Sequence, residues 1–223
     1  MTITTIAILT TESSWFLPYA KELTESLYQN YYHVKLFYNH EDIPDTYDII
    51  FILSYFRIIP QEYLDRHYHN LVVHESDLPQ GKGWSPLFWQ VLEGKNRIPI
   101  VLFEAGGLID SGDIYFKDYI ELEGHEMNQE IRYKQAMKTI ELCKRFLAEY
   151  KNLKSVKQKG KETVYPKRTF LDSELDIDKS IKEQFDLLRT CDNENYPGYF
   201  YHRGHKYILK IEKGVDSNEN SQS

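Results

Sequence analysis

The stretch YDIIFILSY, residues 47–55, restricts the fold of this chain more than any other feature of its sequence. It is a nearly continuous apolar run, which is typical of a strand covered on both faces. Similar runs predict strands at 3–9, 33–39, 70–75, 98–105 and 113–122, and helical apolar spacing predicts helices at 15–30, 85–94 and 128–150. Alternating strands and helices predict an α/β fold with an open, mostly parallel sheet of Rossmann-like type. In such a sheet, ligands bind beyond the carboxyl ends of the strands.

The character of the sequence changes after residue 150. Residues 151–168, KNLKSVKQKGKETVYPKR, hold six lysines and one arginine against one glutamate, and they predict a solvated linker or loop. The alternative is a loop that faces phosphate. Residues 169–213 predict a small α+β extension with a short helix and a hairpin that turns at Arg203 and Gly204. Residues 214–223 predict a disordered tail.

Charge and cysteine content narrow the class of protein. The formal net charge of -7 argues against nucleic acid as a partner, because phosphate binding requires a basic face. No apolar run is as long as a membrane span, and the first residues have the pattern of a strand and lack that of a signal peptide. The two cysteines, Cys143 and Cys191, favour a reducing compartment. These features predict a cytoplasmic protein without a membrane partner.

The motif VVHESDLPQGKGWSP, residues 72–86, places His74 where a predicted strand ends. A single histidine at a strand end is more often structural than catalytic. A second motif, IDSGDI at residues 109–114, contains Asp110, a candidate partner for His74. An imidazole titrates near neutral pH and suits acid/base work, and a nearby carboxylate can orient it and favour its charged form.

The order of these motifs resembles the folate-dependent formyltransferases, whose signature is N-x-H-x-S-x-L-P followed by D-x-G. The segments at 51–65 and 167–190 and the later YPGYF extend the resemblance over residues 1–211. The resemblance implies an enzyme that moves the formyl group of N10-formyltetrahydrofolate, its co-substrate, to an amine. Residues 1–150 would then be the formyltransferase catalytic core.

The resemblance also implies residue roles. His74 would be the general acid/base and Asp110 its electrostatic partner. The residues expected to bind the reduced folate are Phe56, Arg57, Ile58 and Asp113. The residues expected to bind the amine substrate are Lys82 and Arg168 through charge, and Trp84, Tyr196 and Phe200 through stacking. Core packing is the alternative for each of these aromatics. No metal site is expected, because the histidine pairs lack acidic or thiol ligands at metal spacing.

One departure from the family pattern bears on catalysis. The family has Asn two residues before the histidine, and this chain has Val72 there. Loss of an oxyanion donor of this kind costs roughly 3–4 kcal/mol in a well-studied hydrolase. Either another donor replaces it, or activity is weak or absent. A non-catalytic protein that binds folate or a nucleotide sugar is therefore the contrasting hypothesis.

The identity of the amine is a further expectation from the resemblance. Methionyl-tRNA formyltransferase carries an additional carboxyl-terminal domain that helps to hold tRNA, whereas this chain is acidic and has only residues 169–213 after its lysine-rich stretch. We therefore expect a nucleotide-linked amino sugar as substrate, with a product used for lipopolysaccharide or other surface polysaccharide. Another amine, such as methionyl-tRNA, is the alternative, and a homodimer is left open.

Overall fold

The computed structural model describes residues 3–30, 32–44 and 46–214. The strands are β1 (Thr5–Leu9), β2 (His33–Phe37), β3 (Ile49–Ile52), β4 (His69–His74), β5 (Lys82–Gly83), β6 (Arg97–Glu104), β7 (Ile114–Glu121), β8 (Val164–Tyr165), β9 (Gly198–His202) and β10 (His205–Leu209). The α-helices are α1 (Leu17–Gln29), α2 (Gln61–Leu64), α3 (Pro86–Leu92), α4 (Asn128–Glu149) and α5 (Phe185–Thr190).

Six strands form the central sheet in the order β2-β1-β3-β4-β6-β7. The first four are parallel to one another, and β6 and β7 continue the sheet in antiparallel pairing. The predicted open and mostly parallel α/β sheet is therefore confirmed. Two small sheets, β5–β8 and β9–β10, lie outside it.

Strand β3, which lies within the apolar run at 47–55, is fully buried. Every residue of β3 is at most 8% exposed, as a strand covered on both faces requires. It is shorter than the apolar run at 47–55 because Ser54, with a φ of 51°, turns the chain out of the sheet.

Helix α4 packs on one face of the sheet. Apolar residues at steps of three and four predict that its buried stripe consists of Tyr133, Met137, Ile140, Cys143 and Leu147. Ile140 and Cys143 are buried as this spacing predicts, but Tyr133 is 55% exposed, so the prediction for Tyr133 is wrong. The buried face is centred near Thr139, and Tyr133 lies about a third of a turn from it.

The lysine-rich segment 151–168 contacts the core along its length. Val156 exchanges two backbone hydrogen bonds of 2.8 Å with Ile114, and β8 pairs in parallel with β5. Most of its lysines are exposed, but its backbone is tied to the core, so it is no free linker. Whether residues 1–150, 151–168 and 169–213 behave as separate units stays a prediction.

The extension after residue 168 contains α5 and the predicted hairpin. Strands β9 and β10 pair in antiparallel and turn at Arg203 and Gly204. Asp45, which the sequence places in a turn, and residues 215–223 of the predicted tail lie outside the described residues. Among the helices that the structure describes, none is both long and apolar enough to span a bilayer.

A buried ionic cluster joins the extension to the core. Arg189 of α5 is 0% exposed, and its guanidinium donates to Asp186 at 2.7 Å and to Asn96 at 2.8 Å. Glu126 lies 4.0 Å from the same guanidinium and accepts from Lys134 at 2.5 Å. A buried arginine is stable only with such partners, so the cluster fixes how α5 sits on the core.

We expect Glu126 to make folding sensitive to acid. Burial raises the pKa of this carboxyl, but Lys134 and the amides of Glu123 and Gly124 outweigh burial and lower the pKa from 4.5 to about 2. A folded-state pKa below the unfolded value stabilises the protein above pH 4.5, and that stabilisation is lost as the pH falls toward 2. Urea unfolding between pH 7 and pH 2.5 should show the loss. In Glu126→Gln the free energy of unfolding should fall less steeply as the pH is lowered. An unchanged dependence on pH would contradict the role given to Glu126.

Candidate functional site

His74 is the last residue of β4 and is 7% exposed. Its Nε2 lies 2.8 Å from the carbonyl oxygen of Gly81. Because a carbonyl oxygen only accepts, Nε2 carries the proton and donates it. Nδ1, which makes no hydrogen bond with any described residue, is then the basic nitrogen of the neutral ring.

Asp110 reaches His74 from the loop that joins β6 and β7. Its Oδ2 lies 3.9 Å from Nε2 of His74 and accepts a hydrogen bond of 2.8 Å from the amide of Gly83. Its side chain is 13% exposed and lies within ion-pair distance of the imidazole. The structure thus brings together the two residues that the sequence motifs single out.

Two glycines of these motifs have steric reasons to be glycine. A Cβ at Gly112 would lie 1.5 Å from the carbonyl oxygen of Glu104. Gly83 has a φ of 93°, and a Cβ there would lie 2.6 Å from the carbonyl oxygen of Tyr165. The first close approach positions the Asp110 loop on the end of β6, and the second positions the Gly83 amide under the Asp110 carboxylate.

Two polar residues of the segment 151–168 hold the same loops. Gln158 Nε2 donates to the carbonyl oxygens of Asp110 and Gly112, each at 2.9 Å. Thr163 Oγ1 accepts from the amide of Gly81 at 2.8 Å. The sequence analysis missed both residues, since neither belongs to a motif and a lysine-rich context gives no signal for a site.

Glu75 and Ser76 follow His74 and are also drawn into the protein. Burial raises the pKa of Glu75, although the adjacent His74 and the 2.8 Å hydrogen bond from Gln135 oppose the increase. Ser76 is 1% exposed, and its hydroxyl has no hydrogen-bond partner among the described residues. Both residues therefore belong to the buried surroundings of the imidazole.

The structure supplies no asparagine in place of Val72. The pairing of β4 with β6 is regular from Leu71 to His74, so no bulge brings Asn70 toward the histidine. The side-chain amide of Asn70 donates to the carbonyl oxygen of Leu64 at 2.9 Å. Asn70 therefore does not replace the family asparagine beside His74.

Of the residues predicted to bind folate, Phe56, Arg57 and Ile58 lie at the surface, and Asp113 lies in the loop that carries Asp110. Phe56 is 47% exposed and Ile58 is 70% exposed, while the guanidinium of Arg57 pairs with Glu41. Arg57 lines a cavity of about 440 Å³ together with Thr11, Glu12, Ser13, Tyr38, Asn39 and Tyr55. Asp113 accepts a backbone hydrogen bond of 3.0 Å from Glu104 and so helps to shape the Asp110 loop.

Two of the predicted substrate residues lie beside the site. Lys82, 9% exposed, directs its ammonium to Glu162 at 2.8 Å. Trp84 is 37% exposed, and the ammonium of Lys167 lies 5.0 Å from the centre of its ring. An exposed indole with a cation on one face can stack against a planar group of a ligand.

The other three predicted substrate residues pack within the protein. Arg168 lies 3.7 Å from the ring of Phe88 and 5.1 Å from that of Tyr196, donates to Ser173 Oγ, and has its pKa lowered by burial. These contacts engage the guanidinium of Arg168 within the protein, and its binding of a diphosphate stays a prediction. Phe200 stacks on Tyr207 with ring centres 5.5 Å apart, so packing is the better interpretation of Tyr196 and Phe200.

Within residues 3–30, 32–44 and 46–214, no three His, Cys, Asp or Glu side chains lie together in a way that could hold a metal ion.

Comparison with known proteins shows a likeness to one family over part of the chain. Residues 41–145, which include both His74 and Asp110, match the model of the formyl transferase family. Over 119 residues the chain is 32% identical to methionyl-tRNA formyltransferase of Rickettsia massiliae, an alignment covering 53% of this chain and 39% of that protein. The chain thus spans about two fifths of the length of that relative.

Solved structures share the fold of this chain. A methionyl-tRNA formyltransferase from Clostridium thermocellum superposes with a TM-score of 0.79 at 23% identity, covering 96% of this chain and 95% of that one. A 4-N formyltransferase from Francisella tularensis superposes with a TM-score of 0.71 at 18% identity, covering 95% of this chain and 98% of that one. At these identities the likeness establishes the fold.

Proposed function

We propose that this protein is an N-formyltransferase that transfers the formyl group of N10-formyltetrahydrofolate to the amine of a nucleotide-linked amino sugar. The observation that carries the proposal is the buried pair of His74 and Asp110 at the carboxyl end of β4. The folate supplies the formyl group, and the exposed Phe56–Ile58 loop beside the 440 Å³ cavity is the surface proposed to receive it.

The proposed role of His74 follows from the tautomer that its hydrogen bond selects. With Nε2 donating to Gly81, Nδ1 is free to accept the proton that the attacking amine loses. The resulting imidazolium is stabilised by Asp110, 3.9 Å from Nε2. The charged ring donates from Nδ1 toward the negative charge on the formyl oxygen of the tetrahedral intermediate, which compensates for Val72. As the bond between the formyl carbon and N10 breaks, N10 takes up this proton and tetrahydrofolate leaves.

The proposed choice of amine is supported by charge and by Trp84. A net charge of -7 disfavours a polyanion such as tRNA. The exposed Trp84 with Lys167 on its ring suits a nucleotide, whose base stacks on the indole and whose phosphate accepts from the ammonium. The product would then serve lipopolysaccharide or related polysaccharide synthesis. Methionyl-tRNA is the second candidate, because relatives that match the chain carry that name.

The function is tested by single-turnover formyl transfer with N10-formyltetrahydrofolate and two kinds of acceptor, a panel of nucleotide-linked amino sugars and methionyl-tRNA. We expect transfer to at least one sugar. We also expect Val72→Asn to leave that rate unchanged or lower it, because the pocket is built around an apolar side chain and another donor.

Each other outcome changes the proposal in a defined way. Transfer to methionyl-tRNA alone would overturn the sugar substrate and keep the enzyme. Folate binding without transfer to any acceptor would indicate the non-catalytic alternative. A large rate gain in Val72→Asn would show that no other donor has replaced the family asparagine.

A further inference from the structure

A second cavity lies on the α4 side of the sheet. It has a volume of about 450 Å³ and is lined by His69, Tyr115, Phe146, Tyr150, Lys151 and Leu153, and it is called here the α4 cavity. His69 begins β4 and His74 ends it, which separates the two imidazoles by roughly 16 Å along the strand. Nothing in the formyl transfer described above uses this cavity.

Two lining residues of the α4 cavity share one carboxylate, that of Glu104. Glu104 accepts from the backbone amide of Asn70 at 2.5 Å, from the hydroxyl of Tyr115 at 3.1 Å, and lies 2.9 Å from Nδ1 of His69. A register shift between Leu102 and Phe103 in the pairing of β6 with β7 turns Tyr115 toward this side. Glu104 is not itself a lining residue, and its oxygens are directed to these three donors.

The charge that faces the α4 cavity is positive. Lys151 is exposed at its rim and forms no ion pair with any described residue. The hydrogen bond to Glu104 places the proton of the neutral His69 ring on Nδ1, so His69 contributes no negative charge to the lining. Asp113, whose charge acts on Tyr115, is not among the lining residues. An anion is therefore favoured over a cation.

The walls of the α4 cavity are aromatic. The His69 ring meets those of Phe146 and Tyr150 edge to face, with centres 5.6 Å and 5.4 Å apart. Tyr115 adds a third ring, 5.0 Å from Phe146. Rings arranged in this way present both edges and faces, which suit a flat apolar body. Small-molecule sites combine such walls with a few polar groups.

We propose that the α4 cavity is a second small-molecule site that takes a planar aromatic carboxylate. The ring of the ligand lies against Tyr150 and Leu153, and its carboxylate accepts from the ammonium of Lys151. The inference does not depend on the proposed formyl transfer, because it concerns a different face of the sheet and a different ligand.

The test is a calorimetric titration of the full chain with 2-naphthoate. We expect saturable one-to-one binding that weakens at least tenfold, roughly the value of one charge-assisted hydrogen bond, in Lys151→Met. Lys154→Met removes a lysine that does not line the cavity and should bind as the wild type does. Leu153→Trp should abolish binding by filling the space. His74→Ala should bind normally, which separates this site from the formyl transfer site.

Three results would overturn the proposal. The first is the absence of saturable binding by the wild type at millimolar 2-naphthoate. The second is equal binding by wild type, Lys151→Met and Leu153→Trp, which would place the ligand elsewhere. The third is equal affinity for uncharged 2-naphthamide, which would remove the role of the carboxylate. Circular dichroism of each variant ensures that lost binding is not lost folding.

Discussion

Replacing His74 with alanine is expected to lower formyl transfer at least ~100-fold, the scale of a lost acid/base group. The reason is that Nδ1 of His74 is the basic atom that the hydrogen bond to Gly81 leaves free at this site. Asp110→Asn is expected to cause a loss of similar size. Asparagine can still accept from the Gly83 amide and tolerates the φ of 50° at this position, so the substitution removes the charge while keeping the loop.

The measurement is single-turnover transfer with whichever acceptor the wild type uses, with folate binding measured in parallel. His202→Ala is the matched control, because this histidine is exposed in the β9–β10 hairpin. Added imidazole should partly restore the rate of His74→Ala, since it returns a base to the vacated space. A near-wild-type rate in either site variant, with the fold intact, would remove that residue from the mechanism.

Gly112→Ala is expected to produce the second large effect, on stability and on rate together. Its Cβ would lie 1.5 Å from the carbonyl oxygen of Glu104, an overlap that the backbone must relieve by moving. We expect destabilisation of more than ~3 kcal/mol, beyond the usual range for overpacking. Because Asp110 lies two residues away, a shift of ~1 Å would also lower the rate about 100-fold.

Gly106→Ala is the control for this prediction. Gly106 lies in the same loop, and a Cβ there would meet nothing nearer than Ser111 Oγ at 4.0 Å. Urea unfolding and single-turnover transfer of the two variants should therefore differ sharply. Equal behaviour of Gly106→Ala and Gly112→Ala would show that the loop is free to move and does not fix Asp110.

The fold and the pair at its centre could be predicted from sequence because their signals are local. A buried strand such as β3 is apolar over consecutive residues, and an α/β sheet places its strand ends together whatever the side chains are. His74 and Asp110 each stand within a short motif, and the structure shows them 3.9 Å apart. Predicted strand bounds agree with the observed ones within two residues except at the end of β3.

The remainder of the site could not be predicted because it depends on contacts between distant segments. Gln158 contacts Asp110 across 48 positions of the chain, and Thr163 contacts Gly81 across 82. A glutamine or a threonine carries no mark of such a contact. An arginine after a lysine-rich run suggests exposure, and the position of Arg168 beside the rings of Phe88 and Tyr196 is visible only in three dimensions.

The attachment of the segment 151–168 has a consequence for the order in which the protein matures. A ribosome that has released only the first 150 residues has delivered every strand of the central sheet, together with His74 and Asp110. It has not yet delivered Gln158, Thr163 or β8, which hold the loops around those two residues. Since domains begin to fold during synthesis, the sheet can form before the site does. The loops around His74 and Asp110 are thus completed only after residues 151–168 have been synthesised and have packed against the sheet that precedes them.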